Sequence, residues 1–288
     1  MNRFNMKNSF MVLAILISFY FSMNNHTFAN EDIHQEVGTI EPSTFINNQE
    51  LTNLKDVSNE NVRQLQQPVD LNELQRRYPD IVFLEDPNNT QNQIALTFDD
   101  GPDQRFTNDI LDILREYNVP ATFFLLGSRA VAYPEIVTRI QNEGHIIGNH
   151  TYFHPNLVEE GDLATLEREV SRTEDALYEL INYRTSLFRP PYGFLFNELV
   201  EKVAELQYDV IAWSVDSLDW QEEPPEIIAN RVINEVNAGS IILMHDGADW
   251  DGNRTNTIEA LRQIIPTLQE QGYNFVTVPE LLNIPYQK

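Results

Sequence analysis

Two short stretches carry side chains that could do chemistry. "TFDDGP", residues 97–102, sets two carboxylates side by side, and "HTYFHP", residues 150–155, sets two imidazoles four residues apart before a proline. Asp99 and Asp100 follow an apolar run, where adjacent side chains point in different directions, so one can hold a cation while its neighbour stays free as a base. Asp-Asp-Gly-Pro is also good turn chemistry in its own right. His150 and His154 share a face if the segment makes one helical turn. Pro155 disfavours helical backbone at His154, so such a turn must stop there. Alone, an HxxxH pair is more often an ordinary loop than a metal site. Joined to Asp100 it becomes two imidazoles and a carboxylate with a position left for water, a donor set that suits a catalytic Zn2+ or a similar divalent ion.

The elements that must position these residues follow from the apolar pattern. From Gln91 onward, strand-like runs ("QIALTF", "ATFFLLG", "HIIGNH", "SLFRP", "YDVIAWSVD", "SIILMHD", "NFVTV") alternate with helical stretches. Among the helices, "YPEIVTRIQNEG" is expected to stop at Gly144, a long helix to start at an Asp162 cap, and "PEIIANRVINEVN" to open at Pro225. "VDLNELQRRYPD" reads as a short helix leading into the domain. Strand and helix alternating about seven times calls for a parallel sheet, and this length favours an α/β barrel of about seven parallel strands as a single catalytic domain. In such barrels active residues sit where strands end. Polar clusters fall at those places here: Asp99 and Asp100, His150, Arg189, Asp216 and Asp219, then His245 and Asp246.

Composition narrows the setting. Residues 1–29 read as a secretory signal: Arg3 and Lys7 precede an apolar run from Phe10 to Met23, and Thr27 and Ala29 stand at the small-residue positions of a cleavage site. That run is shorter than the roughly 20 residues of a spanning helix, so no stable membrane insertion is expected after cleavage. Residues 30–70 are polar and read as a linker or extension, leaving 71–288 as the catalytic domain. There is no cysteine, so any metal must be held by His, Asp or Glu. The 288-residue chain carries 19 basic and 44 acidic residues. Loss of 1–29 removes Arg3 and Lys7 but no acid, leaving 17 basic residues and a net charge of −27. Such acidity argues against nucleic acid or anionic lipid as a partner. It would also repel a polyanionic cell wall, and it suits a salty or alkaline medium.

"TFDDGP", "HTYFHP", "RPPYG", "DSLDW" and "LMHD", in this order and spacing, resemble the five motifs of the polysaccharide deacetylases, the NodB-homology enzymes of carbohydrate esterase family 4. The resemblance covers roughly residues 91–282. It implies a distorted (β/α) barrel, with Asp100, His150 and His154 as ligands of a divalent metal, Zn2+ first and Co2+ or Mn2+ as alternatives. It implies Asp99 as general base with Arg189 beside it, and the backbone N–H of Tyr192 facing the developing oxyanion. His245 becomes the general acid with Asp219 as its partner, and Trp220 and Leu243 line a slot for the acetyl methyl. These roles make chemical sense, because an amine leaves only once protonated, and a carboxylate beside His245 raises its pKa toward the working range.

The expected activity is an exported, metal-dependent hydrolase, monomeric and secreted or wall-associated. It would remove N-acetyl groups from an amino-sugar polymer, with peptidoglycan N-acetylglucosamine as the nearest substrate. Chitin, poly-N-acetylglucosamine or acetylxylan would use the same machinery. A catalytically idle carbohydrate-binding member is the other class, and the intact motif residues argue against it. His145 lies outside the motifs and reads as structural. Trp220 taken alone reads as core. Asp246, Asp249, Trp250 and Asp251 read as a solvated acidic-aromatic loop.

Overall fold

In the computed structural model, which describes residues 67–159 and 162–288, helix α1 (Leu71–Arg77) starts at Asp70. The Asp70 side chain accepts from the amides of Asn72 and Glu73, which have no intrahelical partner. The expected signal at 1–29 and most of the polar extension lie outside the described residues. After α1 the elements run β1 (Val82–Phe83), β2 (Gln93–Asp99), α2 (Thr107–Tyr117), β3 (Thr122–Leu125), α3 (Gly127–Ala132), α4 (Pro134–Asn142) and β4 (Ile146–Asn149). They continue with α5 (Leu163–Ile181), β5 (Leu187–Phe188), α6 (Asn197–Glu205), β6 (Asp209–Ile211), β7 (Val215–Asp216) and α7 (Pro225–Glu235), then β8 (Ile241–His245), α8 (Thr255–Glu270), β9 (Asn274–Val276) and α9 (Val278–Leu282). Asp162 caps α5 by accepting from the Thr165 amide, as expected. The sequence pattern misses α3 and α9, whose six and five residues are too short to show a helical period.

The strands form one parallel sheet in the order β1-β6-β5-β4-β3-β2-β8-β7, with β9 also pairing β2. Among the described residues nine strands stand where about seven were expected, for two reasons. β1 is a two-residue edge strand with no readable period. "YDVIAWSVD", expected as one strand, divides into β6 and β7. The division curls the sheet: the amide of Ala212 donates to Phe83 O in β1, and the amide of Ser214 donates to Ile241 O in β8. Three residues therefore pass from one end of the sheet path to the other, so the sheet is curled upon itself as a distorted (β/α) barrel.

Alternation in β2 separates two cores. Ile94, Leu96 and Phe98 pack outward with helical residues such as Ile110 and Leu261. Ala95 points inward, into a smaller cluster with Phe124, Leu187, Ile211 and Ile241. Thr97 and Asp99 continue that inner face toward the C-terminal end of the barrel. On β8, Ile241 is inner and Ile242 and Met244 are outer, which puts Leu243 and His245 on the inner face. Register then levels the strand ends, because Asp99 pairs His245 across β2 and β8, and Asn149 pairs Leu125 and Phe188. Every motif residue emerges at one mouth. Among the described residues no helix is long and apolar enough to cross a membrane.

Candidate active site

Asp99 ends β2 facing the barrel axis, 4% exposed. Its Oδ1 accepts from Arg189 Nη1 at 2.8 Å, and its Oδ2 lies 3.7 Å from His150 Nε2. Arg189 is fully buried, and a buried guanidinium is tolerable only when its donors are satisfied. Nε donates to Ile211 O at 2.8 Å, Nη2 to Ala212 O at 3.0 Å and Nη1 also to Thr97 Oγ1 at 2.8 Å. Its plane lies 4.1 Å over the Phe124 ring. Burial lowers its pKa, and Asp99 opposes that shift. One oxygen of Asp99 is thus tied to a fixed cation while the other is turned toward the histidines.

Asp100 follows in left-handed backbone, with φ 73, so its side chain leaves the strand in a direction different from Asp99. Its Oδ1 lies 3.5 Å from His150 Nε2 and 3.3 Å from His154 Nε2, is buried, and has no hydrogen-bond partner. Burial would raise the Asp100 pKa, but His150, His154 and His245 outweigh it and hold the carboxyl well below the usual range. His150 Nδ1 lies 2.7 Å from Arg189 O, so this nitrogen carries the proton and Nε2 presents its lone pair to Asp100. Burial and the neighbouring His150 pull the His154 pKa to about 4. The donor set fits a divalent cation. A tetrahedral ion with ligand bonds of ~2.0–2.1 Å keeps its ligand atoms about 3.3–3.4 Å apart, and one ligand atom from each of Asp100, His150 and His154 lies within 4.8 Å of the others.

The helical turn expected across 150–154 is absent. Thr151 and His154 take φ 71 and φ 61, and these two left-handed residues bring the rings to a centroid separation of 5.0 Å. Such backbone is costly for residues other than glycine, and the loop is clamped from several sides. Thr151 N donates to Asn149 Oδ1 at 3.0 Å and His154 N to Thr151 Oγ1 at 3.1 Å. Tyr152 N and Phe153 N donate at 3.1 and 2.9 Å to one oxygen of Glu169, a buried carboxylate on α5. The amides of Gly127 and Ser128, opening α3, donate to the carbonyls of Thr151 and Tyr152. Glu169 escaped the sequence reading. Its only signal was an acid on the apolar stripe of the α5 pattern.

His245 ends β8, partly exposed, with Nδ1 2.7 Å from Asp219 Oδ1. Its amide donates to Asp219 Oδ2 at 2.9 Å, and Thr257 Oγ1 on α8 donates to the same oxygen at 2.9 Å. Burial would lower the His245 pKa, but Asp219 first, and then Asp100 and Asp99, raise it to about 9. His245 is therefore cationic near neutrality and aims Nε2 away from Asp219.

The neighbouring Asp246 corrects the expectation of a solvated acid. It is fully buried, Oδ2 accepts from Thr107 Oγ1 at 2.6 Å, and Oδ1 has no partner. Burial raises its carboxyl to about 7. Glycine is required on both sides of this seam: a Cβ on Gly101 would stand 2.1 Å from Asp246 Oδ2, and one on Gly247 2.3 Å from Asp100 O.

Tyr192 sits in a 3-10 turn (Pro191–Gly193) with φ 61, its ring edge-on to His154 at 4.6 Å. Leu243 lies two residues before His245, buried on the same strand face. Trp220 follows Asp219 in a short turn flanked by left-handed Leu218 and Glu222, and it is 51% exposed rather than core. His145 is structural as expected: its Nδ1 accepts from Ala121 N at 3.1 Å, and burial lowers its pKa to about 4.

Comparison with known proteins points the same way. The sequence model of the family described as polysaccharide deacetylase matches residues 86–211, a range that includes Asp99, Asp100, His150, His154, Arg189 and Tyr192. A peptidoglycan-N-acetylglucosamine deacetylase of Bacillus cereus is 43% identical over 189 residues, covering 66% of this chain and 68% of that protein. The peptidoglycan-N-acetylmuramic acid deacetylase PdaC of Bacillus subtilis is 41% identical over 203 residues, covering 70% of this chain. This match takes in 41% of PdaC, so the chain spans about two fifths of that relative. The crystal structure of the Bc1960 peptidoglycan N-acetylglucosamine deacetylase, in complex with 4-naphthalen-1-yl-N-oxidanyl-benzamide, superposes with a TM-score of 0.68 at 40% identity, covering 71% of this chain and 94% of that one.

Proposed function

The chain belongs to the polysaccharide deacetylase family, and from that premise we propose that it is an exported, cation-dependent hydrolase of peptidoglycan N-acetylglucosamine. In this reading residues 1–29 are a cleaved signal, 30–70 an extension and 71–288 the catalytic domain, which acts as a monomer at or beyond the cell wall. The observation that carries the reading is the orphaned Oδ1 of Asp100 facing two imidazole nitrogens, with the Asp99 carboxylate and the His245 imidazole at paired strand ends beside it.

Asp100, His150 and His154 would hold the cation, Zn2+ before Co2+ or Mn2+. When bound, it supplies Lewis acidity toward the amide carbonyl and a water of lowered pKa. Asp99 Oδ2 takes a proton from the attacking water, while Arg189 keeps Oδ1 occupied and fixes the carboxylate plane. As the carbonyl carbon becomes tetrahedral, the N–H of Tyr192 donates to the oxyanion. The amine cannot leave as an anion, so His245 delivers a proton to it, and Asp219 keeps that imidazole charged and oriented. Leu243 and Trp220 flank the acetyl methyl and favour acetyl over larger acyl groups.

The test is acetate release from peptidoglycan glycan strands and from chitin oligomers, with chelator and after adding Zn2+ back. Release from peptidoglycan that stops with chelator and returns with Zn2+ is expected. Absence of release from every acetylated glycan in the presence of Zn2+ or Co2+ overturns the reading.

A further inference from the structure

A protein with 44 acidic and 19 basic residues should repel an anionic polymer, yet on the helix beside the candidate cation cage Arg172 has no carboxylate partner among the described residues. On α5, Glu169 is taken up by the loop amides and Glu167 by Lys202 at 3.0 Å. Glu174 and Asp175 pair with Arg184 at 2.6 and 3.1 Å. Arg168 and Arg172, one helical turn apart and both exposed, make no ion pair with a carboxylate among the described residues. Arg168 donates to Thr165 Oγ1 at 3.3 Å and helps to lower the pKa of Asp162, which partly offsets its charge.

Arg172 is the more telling of the two. Its guanidinium lies 3.6 Å over the ring of Tyr152 and 5.1 Å over that of Phe153, two of the three residues between His150 and His154. Stacking fixes the plane and leaves the edge N–H groups for a ligand, the geometry that suits bidentate carboxylate recognition. Phe153, 62% exposed, adds an apolar face of the kind a sugar ring covers. On the far side of the mouth the loop after β8 carries exposed Asp249 and Asp251. β4 and β8 are separated by β3 and β2, about 14 Å at ~4.8 Å per strand step. Arg105 is tied to that loop through the carbonyls of Ala248 and Asp249, so what sets Arg172 apart is a stacked guanidinium with no carboxylate partner among the described residues.

We propose that Arg172, with Arg168 beside it, forms an anion subsite on the β4 rim of the mouth that selects N-acetylated glycans bearing carboxylates over neutral ones. This rests on the deacetylase reading and narrows its substrate class. The carboxylate that fits is one appended to the sugar next to the deacetylated residue, as an acidic ether or peptide on an amino-sugar polymer.

The test compares kcat/KM for acetate release on two substrates: glycan strands alternating N-acetylglucosamine with lactyl-ether-bearing N-acetylmuramic acid, and neutral N-acetylglucosamine pentamer. For Arg172→Gln, kcat/KM on the acidic strands should fall about tenfold through KM, the worth of one charge-assisted contact, with the pentamer unchanged. Wild-type preference for the acidic strands should shrink between low and 0.5 M salt, and the variant's should not, because exposed charges are screened within a Debye length of ~10 Å or less. Arg172→Lys should recover only a minor part of the preference, because an ammonium keeps the charge but loses the stacked bidentate fork. Equal loss on both substrates would make Arg172 a support of the His loop and overturn the subsite, as would no loss on either. If the wild-type protein releases acetate from neither substrate, the deacetylase reading falls and takes this inference with it.

Discussion

His150 and His154 leave the end of β4 on irregular backbone, with left-handed residues at Thr151 and His154, whereas His245 is itself the last residue of a regular strand. The first pair depends on clamps from elsewhere: Glu169 on α5 and the opening amides of α3. The second group depends on the β2–β8 register and on one buried carboxylate, Asp219, which accepts three hydrogen bonds. The difference separates what can be lost. The cation half should yield to changes in the clamps that hold its irregular loop, and the proton half to changes in the pair itself or in the strand register beneath it. The sharpest break is between His154→Ala and His245→Ala. The first should lose both cation affinity and turnover. The second should keep the cation, measured by calorimetric titration, while turnover falls by roughly 10²–10⁴, the usual worth of a positioned proton donor. Asp99→Asn should behave like His245→Ala. If it abolishes cation binding instead, Asp99 and Asp100 have each other's roles.

The same contrast governs what could be read from the sequence. The strand runs and the polar residues just past them announced the barrel and the polar residues at its strand ends, because period-two burial and strand-end placement are local signals. Tyr192, Trp220 and Leu243 were marked only by the family resemblance. Leu218, Thr151 and His154 take left-handed backbone without being glycine or asparagine, so nothing in their types marked the turns. The break in "YDVIAWSVD" had no glycine or proline to announce it. Glu169 and Thr257 are ordinary helix residues whose importance lies in contacts with residues 16, 17 and 38 positions away. Asp246 looked like a loop acid because its burial comes from Thr107 and the absent side chain of Gly101, which are tertiary facts.

Two intermediate changes probe each half from its support. Glu169→Ala strips the acceptor from two loop amides and leaves both imidazoles in place. Cation affinity should fall by about 10–100-fold, as for other supports around metal ligands, with turnover at saturating Zn2+ within a fewfold of wild type. Unchanged affinity would mean that the left-handed loop stands without its clamp. Asp219→Asn keeps a hydrogen-bond acceptor for His245 but removes the charge that raises its pKa. Because the protonated imidazole is the working form, activity is lost as pH rises through that pKa. Lowering the pKa should therefore move the alkaline limb of the kcat/KM profile downward by about one pH unit or more. A limb that stays in place would assign it to another group.

The smallest effect is expected at the seam between the halves, where Asp246 and Gly247 donate their amides to Asp99 O. Burial raises the Asp246 carboxyl to about 7, against ~3.9 in an unfolded chain. Between these values the folded state holds a proton that the unfolded state has released, so stability falls as pH rises through that window, and the loss is complete above about 7. Asp246→Asn replaces the acid with a neutral group of the same shape that can still accept from Thr107 Oγ1. Measured without added cation, its thermal midpoint should match wild type near pH 4 and exceed it by a few degrees above pH 7. A few degrees corresponds to about 1–2 kcal/mol for a domain of this size. Equal midpoints at pH 8 would mean that Asp246 is ionised in the fold and that its Oδ1 has found a partner there. The seam would then join the cation half and the proton half through a charge as well as through the Asp99 carbonyl.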